Sequence, residues 1–306
     1  MTDKPIAVFG STGAQGGPVV QALLDVNRPV RAIARTESKL EALAEKGVET
    51  VALDLADVDA LTKALTGVAG AFVHLPFIPV IDILKAQAKA IATALEANNV
   101  PMTVFTLSGP PSSSPMNVVS FDSKAIVKEI IQQVKTPLVL FEPMGYLANL
   151  SAPFTAPEVV QLNELQYPLP EKHRQAWISV EDQASLAIAA LERPDLAGKV
   201  FRIGTLFSGP ELAAGLSEGL GREIRYVPIT PEHYGREIAA KFLGEEAGEA
   251  LLHDYAKLGQ NPKELNLSAD TTPILRELNM TLTPLPEWAA DQPWEAMAEI
   301  GASVKQ

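Results

Sequence analysis

Apolar residues in the first 150 positions come in two alternating textures. Short continuous runs, "PIAVFG", "PVRAIAR", "VETVALD", "VAGAFVHL", "PMTVFTLS" and "TPLVLFEP", read as buried strands. Between them, apolar groups recur every three or four positions, the spacing of helices packed on a sheet. These segments are Gln15 to Val26, "ESKLEALAEKG" closed by Gly47, "DVDALTKAL" stopped at Gly67, "IPVIDILKAQAKAIATALEANN", and Ser120 to about Val134. Strands alternating with helices predict βαβ units and a parallel sheet covered on both faces, hence an α/β doubly wound fold.

The alternation breaks after Asn149. "SAPFTAPEVVQLNELQYPLP" is proline-rich and irregular, "WISVEDQASLAIAALERP" returns to strand and helix, and "GKVFRIG" reads as another strand. From Ser208 short helices dominate, with one strand-like stretch, "REIRYVPIT". The expected organisation is a nucleotide-type domain from 1–152 and 177–207. A smaller, mostly helical region built from 153–176 and 208–306 accompanies it. No internal repeat is evident.

Composition narrows the classes. The 306 residues are 47% hydrophobic and 20% charged, an ordinary globular balance, with mean hydropathy +0.10. No apolar run approaches the roughly 20 residues of a membrane span. The N-terminal stretch lacks the basic start and long apolar core of a secretory signal, so a cytoplasmic protein is expected. The absence of cysteine excludes disulfides, thiol nucleophiles and Cys-ligated zinc. A net charge of −12 and a pI near 4.9, with no Lys/Arg run, argue against a nucleic-acid partner. His173, His233 and His253 show no ligand spacing, so no metal is expected. No Ser-His-Asp constellation is recognisable.

The densest chemical signal is "VFGSTGAQGG". Gly10, Gly13 and Gly16 follow the first strand and open the first helix, the arrangement of a dinucleotide site in a Rossmann-type fold. Gly10 permits the turn, Gly13 lets backbone approach a pyrophosphate, and Gly16 lets helix pack on strand. Free N–H groups at the helix start would hold the anion. NAD-type sites usually end the second strand with a carboxylate for the ribose 2′-OH. Here the strand ends at Arg35, whose guanidinium suits a 2′-phosphate, and Lys39 could add a second charge. The expected cofactor is NADP(H); the alternative is that both are solvated surface cations.

"VFGSTGAQGGPVVQALL", "VRAIART", "VETVALDLAD", "ISVEDQASLAIAAL" and "GREIRYVPITPEHY" together resemble the NmrA-like group of atypical short-chain dehydrogenases/reductases, over most of the chain to about residue 260. The resemblance implies a pyrophosphate loop of Ser11, Thr12, Ala14, Gln15 and Gly16, with Arg35 at the 2′-phosphate. It places Asp54 and Leu55 at the adenine, with an N-cap as the alternative role for Asp54. His74, Leu75 and Pro76 would flank ribose and nicotinamide, a histidine in such a place being more often structural. Ser108 would lie near the nicotinamide, or serve as a turn residue. Pro143, Met144 and Gly145 would face the nicotinamide edge.

Ordinary members of the wider class use Tyr-x-x-x-Lys on the helix after the fifth strand. This chain has Ser120-x-x-x-Lys124, and a serine hydroxyl is too weak an acid to replace a phenol unaided. In the branch that reduces aromatic ethers and isoflavones, a lysine on this helix has the acid–base role, which Lys124 could fill; the alternatives are a cofactor-binding lysine that only hydrogen-bonds a ribose and an exposed helical lysine. Phe77, Tyr146 and Asn149 are candidate pocket residues, the last two spaced i, i+3. These features imply an NADPH-dependent oxidoreductase acting on a small hydrophobic acceptor such as a quinone, enone or aromatic. The alternatives are a non-catalytic NADP(H)-sensing regulator with a protein partner and, more remotely, a nucleotide-sugar epimerase.

Overall fold

The computed structural model describes residues 4–76, 78 and 80–304. The first half alternates as β1 Ile6–Phe9, α1 Gly16–Asp25, β2 Val30–Ala34, α2 Glu41–Ala44, β3 Glu49–Ala52 and α3 Val58–Ala64. It continues with β4 Gly70–His74, α4 Ile81–Ala97, β5 Thr103–Thr106, α5 Val119–Ile131 and β6 Leu138–Pro143. Beyond these come α6 Ala156–Gln161, β7 Glu164–Tyr167, β8 Arg174–Trp177, α7 Val180–Leu191, β9 Val200–Ile203, β10 Thr205–Ser208, α8 Gly209–Leu220 and β11 Arg225–Pro228.

Seven strands form one parallel sheet in the order β3-β2-β1-β4-β5-β6-β9. This is the doubly wound order, whose direction reverses between β1 and β4 and opens a crevice at their carboxyl ends. The central strands are apolar because both faces are covered: β1, β5 and β6 are buried at every position. A continuous cluster including Phe9, Ile33, Leu61, Ile91, Phe105 and Leu140 fills one side. One charge lies in this interior. Glu142 of β6, 1% exposed, is held between Lys128 Nζ at 2.6 Å and Arg202 Nε of β9 at 3.2 Å.

The chain divides into two compact units: 1–143, 180–203 and 270–280, and 144–179, 204–269 and 281–306. The 270–280 segment belongs to the first unit, where Glu277 pairs with Arg193 and Lys199. The second unit holds most of the later helices and two two-stranded sheets, β10 with β8 and β11 with β7. β7 and the whole of α6 come from the stretch that reads as irregular. Its Glu164–Tyr167 pairs in parallel with Arg225–Pro228, a partner too distant for any local hairpin signal. "ESKLEALAEKG" is not one helix but a 3-10 turn, Glu37–Lys39, and the four residues of α2. Only Leu40 of that turn-helix is fully buried, too narrow a stripe to sustain a longer helix. Among the described residues no helix is long and apolar enough to cross a membrane, and no His/Cys/Asp/Glu group could hold a metal.

Candidate active site

The glycine loop sits at the sheet's reversal point. Gly10 leaves β1 at φ +61°, a conformation that costs other residues but not glycine. Gly13 N–H donates to Gly10 O and Gly17 N–H to Gly13 O, both at 2.9 Å, which winds the loop into α1. A Cβ on Gly16 would overlap the Phe9 and Gly10 carbonyls, and one on Gly10 would strike the His74 imidazole. α1 has no side-chain cap at Gln15 and no acidic residue in its first turn. With Gly17 N–H taken by Gly13 O and no N–H on Pro18, Gly16 N–H is the leading α1 donor that faces an external acceptor, at the positive end of the helix. Ser11 also fastens the loop to the sheet. Its N–H and its hydroxyl both donate to Ile33 O at 3.2 Å, tying the loop to β2.

A cleft of about 200 Å³ opens beside this loop, walled by Gly10, Thr12, Gly13, Arg35, Lys39 and Leu55, with His74 and Pro76 opposite. The two arginines of the β2 segment are used differently. Arg31 pairs with Glu49 and donates to the Ala64 and Thr66 carbonyls, a structural clamp. Arg35 and Lys39 are exposed and have no carboxylate partner among the described residues. Asp54 does not cap the next helix: it accepts from Ala56 N at 2.9 Å, and Asp57 caps α3 through Ala60 N at 3.0 Å. Leu55 is buried against the cleft.

Both His74 ring nitrogens are shielded from solvent without a hydrogen-bond partner of normal geometry. Burial holds the imidazole below its ordinary value of 6.5, and the Leu75 backbone offsets this only in part. The unfolded chain therefore takes up a proton that the folded chain resists. Stability is full above 6.5 and declines as pH falls below it. His173, lowered by burial against the pull of Gln175, adds a penalty of the same sign. Replacing His74 with Gln should cut the loss of unfolding free energy between pH 7 and pH 5.5 by about 1 kcal/mol. Identical wild-type and H74Q slopes in urea titrations at the two pH values would remove His74 from this account.

A second, smaller cavity of about 30 Å³ lies at the ends of β4 and β5, lined by Leu75, Pro76, Phe105, Ser108, Lys124 and Val127 among others. Lys124 is half-buried rather than an exposed helical lysine. Its Nζ donates to Ser120 O at 2.6 Å and lies 5.8 Å from the Phe121 ring centre. Gly109, at φ +136°, leaves the space that the Lys124 chain occupies: a Cβ there would be 3.2 Å from Lys124 Cε. Asp122 on the same helix accepts from Ser112 Oγ at 2.8 Å and Met116 N at 3.0 Å, holding the loop that follows Ser108.

Pro143 ends β6 in register with Ile203. Met144, Gly145, Tyr146 and Asn149 belong to the second unit. Gly145 packs so closely on β8 that a Cβ would press on Gln175 and on Trp177. Tyr146 is an extended residue bridging Ile178, and only Leu147–Asn149 form a 3-10 turn, so Tyr146 and Asn149 do not share a regular helix face. Asn149 reaches the hydroxyl of the fully buried Tyr167. Phe77 lies outside the described residues.

Two polar residues near Ser108 escaped the sequence reading. Gln183 of α7 is 0% exposed, and Thr106 closes β5 at 1%. Thr106 Oγ1 is within 3.2 Å of Gln183 Oε1, Gln183 Nε2 within 3.5 Å of Gln15 Oε1, and Gln15 Nε2 within 3.0 Å of Ser108 Oγ. The available signal was a glutamine on an otherwise apolar stripe, between Val180 and Leu186 on the buried face of α7.

The sequence profile of the NmrA-like family matches residues 2–289. An NAD(P)H azoreductase of Xenophilus azovorans is 29% identical over 253 residues, covering 82% of this chain and 86% of its own. The Citrobacter sp. triphenylmethane reductase, solved with NADP(H), superposes with a TM-score of 0.76 at 22% identity, over 94% of this chain and 99% of its own. An NADPH-dependent quinone oxidoreductase from Escherichia coli, solved with NADPH, gives 0.74 at 20% identity, over 93% and 98%.

Proposed function

This chain belongs to the NmrA-like family, and on that premise we propose that it is an NADP(H)-dependent reductase of small hydrophobic acceptors with electron-poor double bonds, such as azo compounds or quinones. The observation that carries this reading is the pairing of an uncapped α1 N-terminus with two unpaired cations, Arg35 and Lys39, across one cleft. Those residues fit the group: Gly10 and Gly13 line the cleft without side chains, and the open charges of Arg35 and Lys39 match a phosphate-rich ligand. The azoreductase relative and the two reductase folds are consistent with it.

When bound, the dinucleotide supplies the hydride. The chain supplies position and charge. Gly16 N–H at the positive end of α1 would hold the pyrophosphate, and Arg35 with Lys39 would hold the 2′-phosphate. Apolar walls from Leu75, Leu84, Phe105 and Val127 exclude water around Ser108 and Lys124. Lys124, anchored at Ser120 O, places a positive charge and a proton donor beside the acceptor, favouring charge build-up on its heteroatom. No phenol is required for such acceptors, since orientation and polarisation do most of the protein's share.

The test is NADPH consumption, followed at the reduced-nicotinamide band, with azo dyes, quinones, enones and triarylmethane dyes. Lys124→Ala should lower kcat by about 100-fold while leaving NADPH affinity nearly unchanged, the scale of a lost proton donor. Binding of NADPH without turnover across the panel would replace the reductase with a nucleotide-sensing protein.

A further inference from the structure

A fully buried glutamine on a packing face of a helix is costly unless its amide is satisfied on both sides. Gln183 is so satisfied, and its partners lead to the proposed site. The Thr106 hydroxyl, shared between Gln183 Oε1 and Leu107 O, meets the oxygen end of the amide. Gln183 Nε2 then donates to Gln15 Oε1, Gln15 Nε2 donates to Ser108 Oγ, and the Ser108 hydroxyl points to Leu75 O at 3.4 Å. Every donor in the series faces the same way. Ser108 Oγ therefore accepts from Gln15 and keeps its single proton to give.

The Gln15–Ser108 bond is the short one at 3.0 Å, while the Gln183–Gln15 contact at 3.5 Å and the Ser108–Leu75 contact at 3.4 Å are both near the length limit of a hydrogen bond. The Ser108 proton is therefore easily re-aimed, and Gln183 steers Gln15 rather than locking it. Ser108 lines the same cavity as Lys124. We propose that Gln183 is a positioning residue: through Gln15 it fixes Ser108 as a hydrogen-bond donor toward the heteroatom of an acceptor seated at the open mouth of that cavity, which by itself has room for little more than a water. The inference rests on the reductase reading for its ligand, but the orientation of Gln15 belongs to the protein alone. The relay joins the cofactor loop to the acceptor cavity, so α7 helps set both sites.

The experiment compares wild type, Gln183→Met, Ser108→Ala and the double variant, with Thr106→Val as a milder second probe of the relay that leaves Gln183 in place. Methionine keeps the volume and removes the amide. With an azo dye as acceptor, Q183M and S108A should each lower kcat/KM by about tenfold, and the double variant should fall no further, since both remove one donor. T106V should cost about threefold, and NADPH dissociation constants should stay within about threefold throughout. In the free protein, exchange of the Gln15 side-chain amide with solvent, read by nitrogen-15 NMR, should accelerate at least about tenfold in Q183M. Additive losses in the double variant, or an unchanged Gln15 amide, would overturn the relay. Should the wild type bind NADPH and reduce nothing, the reductase reading falls, and the Gln15 exchange alone decides whether Gln183 positions Ser108.

Discussion

Arg35→Ala is expected to weaken NADPH binding by about 100-fold and NADH binding by less than about threefold, a loss near 2.7 kcal/mol confined to the phosphorylated cofactor. The size follows from the side chain's situation. Arg35 is exposed in the free protein and has no internal carboxylate partner, so removing it breaks nothing in the fold. Arg31, by contrast, holds Glu49 and two carbonyls, and its loss would act through stability. Titrating reduced-nicotinamide fluorescence with both cofactors on wild type and R35A gives the answer. Parallel losses for NADPH and NADH would mean that Arg35 supports the cleft generally rather than reading the 2′-phosphate.

Gly16→Ala is expected to be the most damaging single methyl in the protein's first unit. The new Cβ would meet the backbone carbonyls of Phe9 and Gly10, which cannot rotate away as a side-chain end could. Either α1 lifts from β1 or the loop opens. The expected cost is about 3 kcal/mol of unfolding free energy, with NADPH affinity reduced by about 100-fold or more. Gly17→Ala is the internal control. Its nearest non-local neighbour would be 3.8 Å away, ordinary contact, so stability should hold or rise by up to about 1 kcal/mol through the lower freedom of the unfolded chain. Paired denaturant titrations and NADPH titrations measure both. If the two alanines behaved alike, helix propensity rather than close packing would govern the motif.

The central sheet was legible because parallel strands covered on both faces read as unbroken apolar runs. The small sheets of the second unit were not. β7, β10 and β11 are four residues long; β10 and β11 are half-buried or exposed throughout, and β7, with Leu165 and Tyr167 buried, finds its partner only in Arg225–Pro228. Likewise, the return of 270–280 to the first unit depends on ion pairs of Glu277 that no local pattern announces. At the site, the glycine spacing stood out because its geometry is contained in a few consecutive residues, whereas the hydrogen bond of the Ser11 hydroxyl to Ile33 O is visible only in the fold. Gln183 was missed because its partner is 168 residues away along the chain. Its polarity on an apolar stripe is a local clue, but the meaning of that clue is entirely tertiary.

The position of β9 has a consequence for how the molecule is made. It is the outermost strand beside β6, yet it is translated only after the chain has built part of the second unit. Until residues 200–203 leave the ribosome, β6 is an open edge of six apolar-flanked residues, the kind of template that pairs with neighbouring nascent chains. During that interval Glu142 also lacks Arg202, one of its two cations. A fragment cut at the apparent end of the first half would be frozen in this state. Synthesis speed between residues 143 and 203 thus sets how long each growing copy stays sticky, and chaperone demand should concentrate in that window.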